Sequence, residues 1–184
     1  MDKSTSQLWA ITGPRGAGKT AFCRLMARHA RCAGWDVAGL LSPAIVETGV
    51  KTGILAEDLR TGEVRVLACA TACSPFNLPL GKWYIDTAVL EWGNCVLKTC
   101  LPCDLMIVDE LGPLELLHGG GWSEALTFLG QSAYRLGLVV VRPELLETIR
   151  TRLPVAGTIF IDTPLCLERD AQQWWEQLIH EPDV

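Results

Sequence analysis

A glycine-rich segment near the amino terminus has the composition and spacing of a phosphate-binding loop. Residues 13–20 read Gly-Pro-Arg-Gly-Ala-Gly-Lys-Thr, which fits the pattern G-x-x-x-x-G-K-[S/T] at every fixed position. Glycines let successive backbone N–H groups turn toward one anion, and the helix that follows such a loop adds its positive end. We expect the Lys19 ammonium to reach the β- and γ-phosphates of a nucleotide, and the Thr20 hydroxyl to ligate Mg²⁺.

The phosphate loop is specific enough to carry a prediction by itself. Chance produces this pattern about once in 200 chains of such composition. An apolar run precedes the loop and a helical pattern follows it, as a phosphate-binding turn requires. The expected nucleotide-binding residues are Gly13, Pro14, Arg15, Gly16, Ala17, Gly18, Lys19, Thr20 and Ala21.

An acidic pair supplies the complementary chemistry. The continuous apolar run at residues 105–108 is typical of a central parallel strand, and it ends in Asp109 and Glu110. The carboxyl end of such a strand is where α/β sheets bind ligands. We expect Asp109 to hold Mg²⁺, directly or through water, and Glu110 to orient and deprotonate an attacking water. The simpler alternative is that Asp109 caps the strand and Glu110 is a solvated turn residue.

Other polar residues have two interpretations each. Arg142 follows an apolar run at 136–141, so it would lie at the same sheet edge and contact the γ-phosphate, or it is a surface arginine. Arg15 would contact phosphate or point into water. Lys82 and Trp83 would border the nucleotide, or Trp83 would pack in the core.

Strands and helices alternate around both motifs. The pattern predicts strands at 8–12, 36–41, 105–108, 136–141 and 158–161, and helices at 21–33, 86–99, 122–135, 144–152 and 165–179. This alternation indicates an α/β fold, a mostly parallel sheet flanked by helices. Residues 44–85 are rich in β-formers and Thr-Gly turns, so we expect a β-hairpin insertion after the second strand, within a single domain spanning 1–184.

Composition excludes several classes of protein. With 49% hydrophobic and 20% charged residues in 184, the chain can bury a core and is not disordered. A net charge of -5 argues against a nucleic-acid partner bound through a broad basic surface. Apolar runs are too short for a membrane span, and no signal peptide is visible, so we expect a cytoplasmic protein without a membrane partner.

Eight cysteines leave a question about metal binding. Part of their spacing matches a plant-type iron–sulfur pattern. Free cysteine is also a common small buried residue, and Cys32 and Cys95 are expected to pack on helices. The sequence leaves open whether a metal is bound by Cys69, Cys73, Cys95, Cys100 and Cys103.

Residues 109–116, Asp-Glu-Leu-Gly-Pro-Leu-Glu-Leu, resemble the signature of a small family of nucleoside triphosphatases whose mammalian member is called the cancer-related nucleoside triphosphatase. Further matching segments are residues 13–20, 39–41, 58–63, 67–68 and 81–86, and the resemblance spans about residues 8–160. The resemblance implies a P-loop NTPase fold, and an enzyme that hydrolyses ATP, GTP and other nucleoside triphosphates with Mg²⁺. Glu115 belongs to this signature, and we expect a structural role for it.

The chain also departs from that family's pattern. The family often has an Asn-Arg-Asp-like element after the last core strand, whereas residues 159–165 read Ile-Phe-Ile-Asp-Thr-Pro-Leu. Base contacts in this region are therefore expected to differ.

The motifs together predict a Mg²⁺-dependent nucleoside triphosphatase. Lys19 and Glu110 would be catalytic, and Thr20 and Asp109 would hold the metal. One alternative is a nucleotide kinase, although no arginine lies between Arg65 and Arg135 to build an arginine-rich lid. Another is a nucleotide-gated adaptor with little turnover of its own. Base selectivity, protein partners and oligomeric state stay open.

Overall fold

The computed structural model describes residues 6–180, which form ten strands and six α-helices. The strands are β1 (Gln7–Thr12), β2 (Val37–Leu41), β3 (Ala44–Glu47), β4 (Val50–Asp58), β5 (Val64–Cys69), β6 (Leu78–Leu80), β7 (Trp83–Ile85), β8 (Leu105–Leu111), β9 (Leu136–Val141) and β10 (Val155–Phe160). The helices are α1 (Lys19–Cys32), α2 (Thr87–Lys98), α3 (Pro113–His118), α4 (Glu124–Gly130), α5 (Leu146–Arg152) and α6 (Leu167–His180).

Five parallel strands form the centre of the sheet in the order β10-β1-β9-β8-β2. Strands β2, β8 and β9 are buried at nearly every position, as expected for strands covered on both faces. Strand β9 lies between β1 and β8, so the segments that follow these three strands emerge side by side at one edge. That edge, the carboxyl rim, is where the functional residues were predicted.

Helices cover both faces of the sheet. One face packs against α1 and α6, with Phe22, Met26 and Trp175 among the buried side chains. The other packs against α2 to α5, where Leu97 and Leu129 are buried. The predicted α/β fold with a largely parallel core is confirmed.

The insertion at residues 44–85 extends this sheet with antiparallel strands. β4 pairs with β2, and β5, β7 and β6 follow in that order, while β3 pairs with β4. Because β4 runs antiparallel to β2, its amino-terminal half and the turn before it lie at the carboxyl rim. The hairpin thus approaches the predicted site from the side.

Several predicted boundaries differ from the observed ones. The helix expected at 122–135 is α4 alone, because Gly130 ends it and residues 131–135 form turns. The helix expected at 144–152 begins as a 3₁₀ turn at Pro143–Leu145. The last strand starts three residues earlier than predicted, and α3 was not predicted. Within residues 6–180, no helix combines the length and apolar character needed to cross a membrane.

Candidate functional site

The phosphate loop follows β1 and depends on glycine at two positions. Gly13 has φ 143°, and a Cβ there would lie 1.8 Å from the carbonyl oxygen of Ile161. Gly18 has φ 99° in the left-handed region and immediately precedes α1. A side chain at either position would be strained, which explains the fixed glycines of the pattern.

Lys19 begins α1 and lies across the loop. Its Nζ donates hydrogen bonds to the carbonyl oxygens of Gly13, at 2.9 Å, and Pro14, at 2.8 Å. These two bonds hold the ammonium against the loop backbone, beside the N–H groups that would face a phosphate.

Asp109 connects the two motifs. Asp109 is 2% exposed, and the backbone N–H of Ser42, just past β2, donates to its Oδ2 at 3.2 Å. Burial raises the pKa of Asp109, while the Thr20 side chain and the Ser42 N–H favour the ionised form and act in the opposite direction. The predicted metal-binding residues therefore lie together.

Glu110 is held by Arg142. Nε of Arg142 donates to Oε1 of Glu110 at 2.7 Å, and the side chains are 34% and 33% exposed, respectively. Arg142 follows β9, the strand between the two motif strands, so its position at the carboxyl rim is as expected. The structure pairs the Arg142 guanidinium with Glu110. Contact of Arg142 with a γ-phosphate stays a prediction.

Glu115 fastens the segment that follows the acid pair. Its carboxylate is buried and accepts from the N–H of Gly112 at 2.8 Å and of Trp122 at 3.1 Å. A Cβ at Gly121 would lie 1.8 Å from Oε1 of Glu115, so the chain closes tightly around this carboxylate. These contacts give Glu115 the structural role that we expected.

Trp83 fits the packing alternative, and a position beside the nucleotide stays a prediction. It is half-buried and packs against the core on the face of α2. Its ring also faces cations, with Nζ of Lys82 4.7 Å and Nζ of Lys51 5.4 Å from the ring centroid. Arg15 is exposed on the phosphate loop and has no side-chain hydrogen bond within residues 6–180.

A family model described as NTPase matches residues 9–159. The chain belongs to this NTPase family. The assignment confirms the resemblance carried by the phosphate loop and the Asp-Glu signature.

Individual relatives agree with this family assignment. The chain is 32% identical over 110 residues to the "Nucleoside-triphosphatase THEP1" of Methanosarcina acetivorans, an alignment that covers 59% of this chain and 61% of the relative. The chain thus spans about three fifths of the length of the curated relatives that it matches most strongly.

Two solved structures share the fold of this NTPase. The solution structure of a human cancer-related nucleoside triphosphatase has a TM-score of 0.69 and 18% identity, covering 97% of this chain and all of the other. The crystal structure of THEP1 from Aquifex aeolicus has a TM-score of 0.66 and 15% identity, covering 94% and 99% of the two chains.

The oxygen atoms at the carboxyl rim are of the type that Mg²⁺ prefers. The Thr20 hydroxyl follows the phosphate loop, the Asp109 carboxylate ends β8, and hard oxygen donors of this kind suit a small divalent cation that also binds phosphate. By contrast, no group of three His, Cys, Asp or Glu side chains within residues 6–180 is arranged to hold a metal.

The cysteines of the described residues occupy both buried and exposed positions. Cys95 is exposed, which corrects the expectation that it faces the core, and so is Cys32 on α1. Burial raises the pKa of Cys100 to about 11 and that of Cys103 to about 12, so both thiols are protonated at neutral pH.

Two residues near the site were missed in the sequence. Ser42 also donates its hydroxyl to the carbonyl oxygen of Asp109. Its position just after a predicted parallel strand was a usable signal, since the ends of such strands share one rim. Lys51 lies on β4 of the insertion, where the charges of Glu110 and Asp109 act on its pKa, and no short-range pattern marks it.

Proposed function

We propose that this NTPase is a Mg²⁺-dependent enzyme that transfers the terminal phosphoryl group of a nucleoside triphosphate to water. The carrying observation is that β1 and β8 flank β9, so the phosphate loop that follows β1 and the acid pair at the end of β8 lie at one rim. Relatives named nucleoside triphosphatases support the same activity for this chain. ATP, GTP and other nucleoside triphosphates are the proposed substrates.

The phosphate loop binds and orients the triphosphate. Its backbone N–H groups and the positive end of α1 face the anion, and Lys19 exchanges its loop carbonyl contacts for phosphate oxygens. Thr20 and Asp109 are the residues that would hold Mg²⁺. When bound, this ion neutralises charge on the outer phosphates.

Glu110 prepares the water. Its carboxylate accepts a hydrogen bond from the water, whose oxygen then forms a bond to the terminal phosphorus in line with the breaking bond. The leaving oxygen keeps the bonding electrons as part of the nucleoside diphosphate, and the proton passes to Glu110. Arg142 fixes the carboxylate, because its 2.7 Å contact occupies Oε1 and leaves Oε2 for the water.

The proposal includes a cytoplasmic setting. Its support is that all eight cysteines, which lie within the described residues, are free thiols, as in a reducing compartment.

A panel of nucleoside triphosphates tests the proposed activity. Free phosphate is measured with Mg²⁺ and with chelator, and each assay is repeated with nucleoside monophosphates. We expect Mg²⁺-dependent phosphate release that monophosphates do not divert. Labelled nucleoside diphosphate formed from the monophosphate at the expense of phosphate would instead establish a kinase. Tight binding without turnover would establish a nucleotide-gated adaptor.

A further inference from the structure

Lys51 reaches the carboxyl rim from the insertion. β4 pairs with β2 only at its carboxyl-terminal end, where Leu41 lies opposite Glu57. Lys51 precedes Glu57 by six residues in this antiparallel strand, so it lies beyond the end of β2, on the side of the acid pair. The pairing of β4 is irregular between Ile54 and Leu55, and such irregularities bend a strand.

The ammonium of Lys51 is close enough to the acid pair to respond to it. Although part of its side chain is open to solvent, desolvation by the surrounding chain lowers the pKa of Lys51. The charges of Glu110 and Asp109 act in the opposite direction, while those of Lys82 and Arg15 lower the pKa further. Lys51 thus responds to the charges of both carboxylates and of two other cations, Lys82 from the insertion and Arg15 from the phosphate loop.

These three cations are not neutralised by the described part of the protein. Within residues 6–180, Lys51, Lys82 and Arg15 form no salt bridge, whereas nine other ion pairs are present. The nearby carboxylates are engaged elsewhere, because Glu110 binds Arg142, and Asp109 accepts from the N–H of Ser42. Like charges repel when brought together, and an anion placed between them removes that cost.

The indole of Trp83 helps to fix this arrangement. Lys51 and Lys82 both face its ring, at 5.4 and 4.7 Å from the centroid. Cation–π attraction limits the conformations of a long side chain that would otherwise sample many rotamers. Because Trp83 also packs against the core, its ring holds the two lysines in place relative to the sheet.

We propose that Lys51 is a catalytic residue that donates hydrogen bonds to the terminal phosphoryl group of the bound nucleotide and stabilises the charge on it in the transition state. The proposal rests on the function proposed above. Lys19 approaches the phosphates from the loop, and Lys51 would approach them from the opposite, insertion side. Lys51 stays protonated throughout: the water oxygen–phosphorus bond forms, the phosphorus–bridging oxygen bond breaks, and the proton of the water goes to Glu110.

Replacing Lys51 distinguishes a contact with the terminal phosphoryl group from simple packing of Lys51 on Trp83. Lys51→Ala and Lys51→Arg are compared with the wild type, with Lys98→Ala as the control. Lys98 is an exposed lysine at the end of α2, paired with Glu124, near the opposite edge of the sheet. Steady-state phosphate release from Mg²⁺-ATP gives kcat and KM, and calorimetry gives the affinities for ADP and for the β,γ-imido analogue of ATP.

A contact with the terminal phosphoryl group has a defined signature. We expect Lys51→Ala to lower kcat about 100-fold, as loss of one charge-stabilising donor does, and to weaken binding of the triphosphate analogue while the ADP affinity changes less than about twofold. Lys51→Arg should retain more than about a tenth of the wild-type kcat, because the charge is kept. Lys98→Ala should match the wild type.

Two results would overturn the proposal. One is a kcat for Lys51→Ala within about threefold of the wild type. The other is an equal loss of ADP and triphosphate affinity that Lys51→Arg does not restore, which is the mark of a structural role. If the wild type binds the triphosphate analogue but releases no phosphate, the hydrolysis proposal fails by itself. The ratio of triphosphate to diphosphate affinity then still decides whether Lys51 makes the contact.

Discussion

The carboxyl rim of the parallel strands and the insertion at residues 44–85 contribute to one site by different means. At the rim, the backbone is buried, and a Cβ added at some of its glycines would collide with the neighbouring backbone. This packing fixes the positions of the residues at the rim. The insertion leaves apolar side chains in solvent, with Val46 57% and Val50 61% exposed. The rim thus supplies the buried part of the proposed site, and the insertion supplies exposed cations beside it.

The largest effect is expected at the rim, from Glu110→Gln. The amide is nearly isosteric but cannot take the proton of the water, so we expect kcat to fall about 1,000-fold, within the range for loss of a general base. Nucleotide affinity should be preserved. Val46→Thr, on the exposed face of the insertion, is the matched control and should leave kcat unchanged. Turnover of Glu110→Gln at the wild-type level would show that another group prepares the water.

A smaller effect is expected from Arg142→Ala, which removes the group that orients Glu110. Because the carboxylate itself remains, we expect kcat to fall about tenfold with little change in KM. A large rise in KM with kcat unchanged would instead assign Arg142 to nucleotide binding, one of the two interpretations that the sequence left open.

The next effect concerns stability at the rim and involves Glu115. Glu115→Ala leaves the buried N–H groups of Gly112 and Trp122 without an acceptor, so we expect a loss of about 1–3 kcal/mol in the free energy of unfolding. Chemical denaturation measures this loss. An unchanged midpoint would mean that water replaces the carboxylate at both donors.

The same carboxylate gives the stability a defined pH dependence. Burial raises the pKa of Glu115 above its ordinary value of about 4.3, so the native state binds the proton more tightly than the unfolded state. Its contribution to stability is therefore fully present below the ordinary value and is lost as pH rises through the raised pKa. Glu115→Gln should remove this part of the pH dependence, which denaturation over a series of pH values would show. An identical pH dependence in both proteins would contradict this assignment.

The smallest effect is expected from chemical labelling of two thiols, one on α1 and one in the insertion. Cys23, on α1, is fully buried, and burial raises its pKa well above the ordinary value, whereas Cys73 lies exposed in the insertion. We expect iodoacetamide to modify Cys73 in the native protein and Cys23 only after unfolding, as measured by mass spectrometry. Equal labelling rates would contradict the difference in packing.

The contrast between the regions also explains what could be predicted from the sequence. The phosphate loop and the acid pair are local patterns whose chemistry depends on fixed spacing, so Lys19, Thr20 and Asp109 were placed together before the fold was known. That the two motifs share one edge followed from the rule that the carboxyl ends of parallel strands lie at the same rim, whereas the order of the strands was not predicted. Arg142 was placed at the correct edge, but its partner Glu110 was not foreseen, because β9 had to be located between the motif strands.

The insertion could be predicted only in outline. Its turns marked it as β structure, but nothing local indicates that β4 pairs with β2 or that Lys51 reaches the acid pair. These contacts depend on pairings between strands distant in sequence and on a bend in β4, for which residue spacing carries no signal.

The central claim is that Thr20 and Asp109 meet around a metal-bound triphosphate, and one binding measurement tests it directly. Calorimetry with the β,γ-imido analogue of ATP compares the wild type and Asp109→Asn, each with Mg²⁺ and with chelator. The amide can still accept from the N–H of Ser42, so the fold should be kept. We predict that Mg²⁺ strengthens binding at least about tenfold in the wild type and less than about twofold in the variant. The same Mg²⁺ dependence in both proteins, or no nucleotide binding by the wild type, would contradict the account.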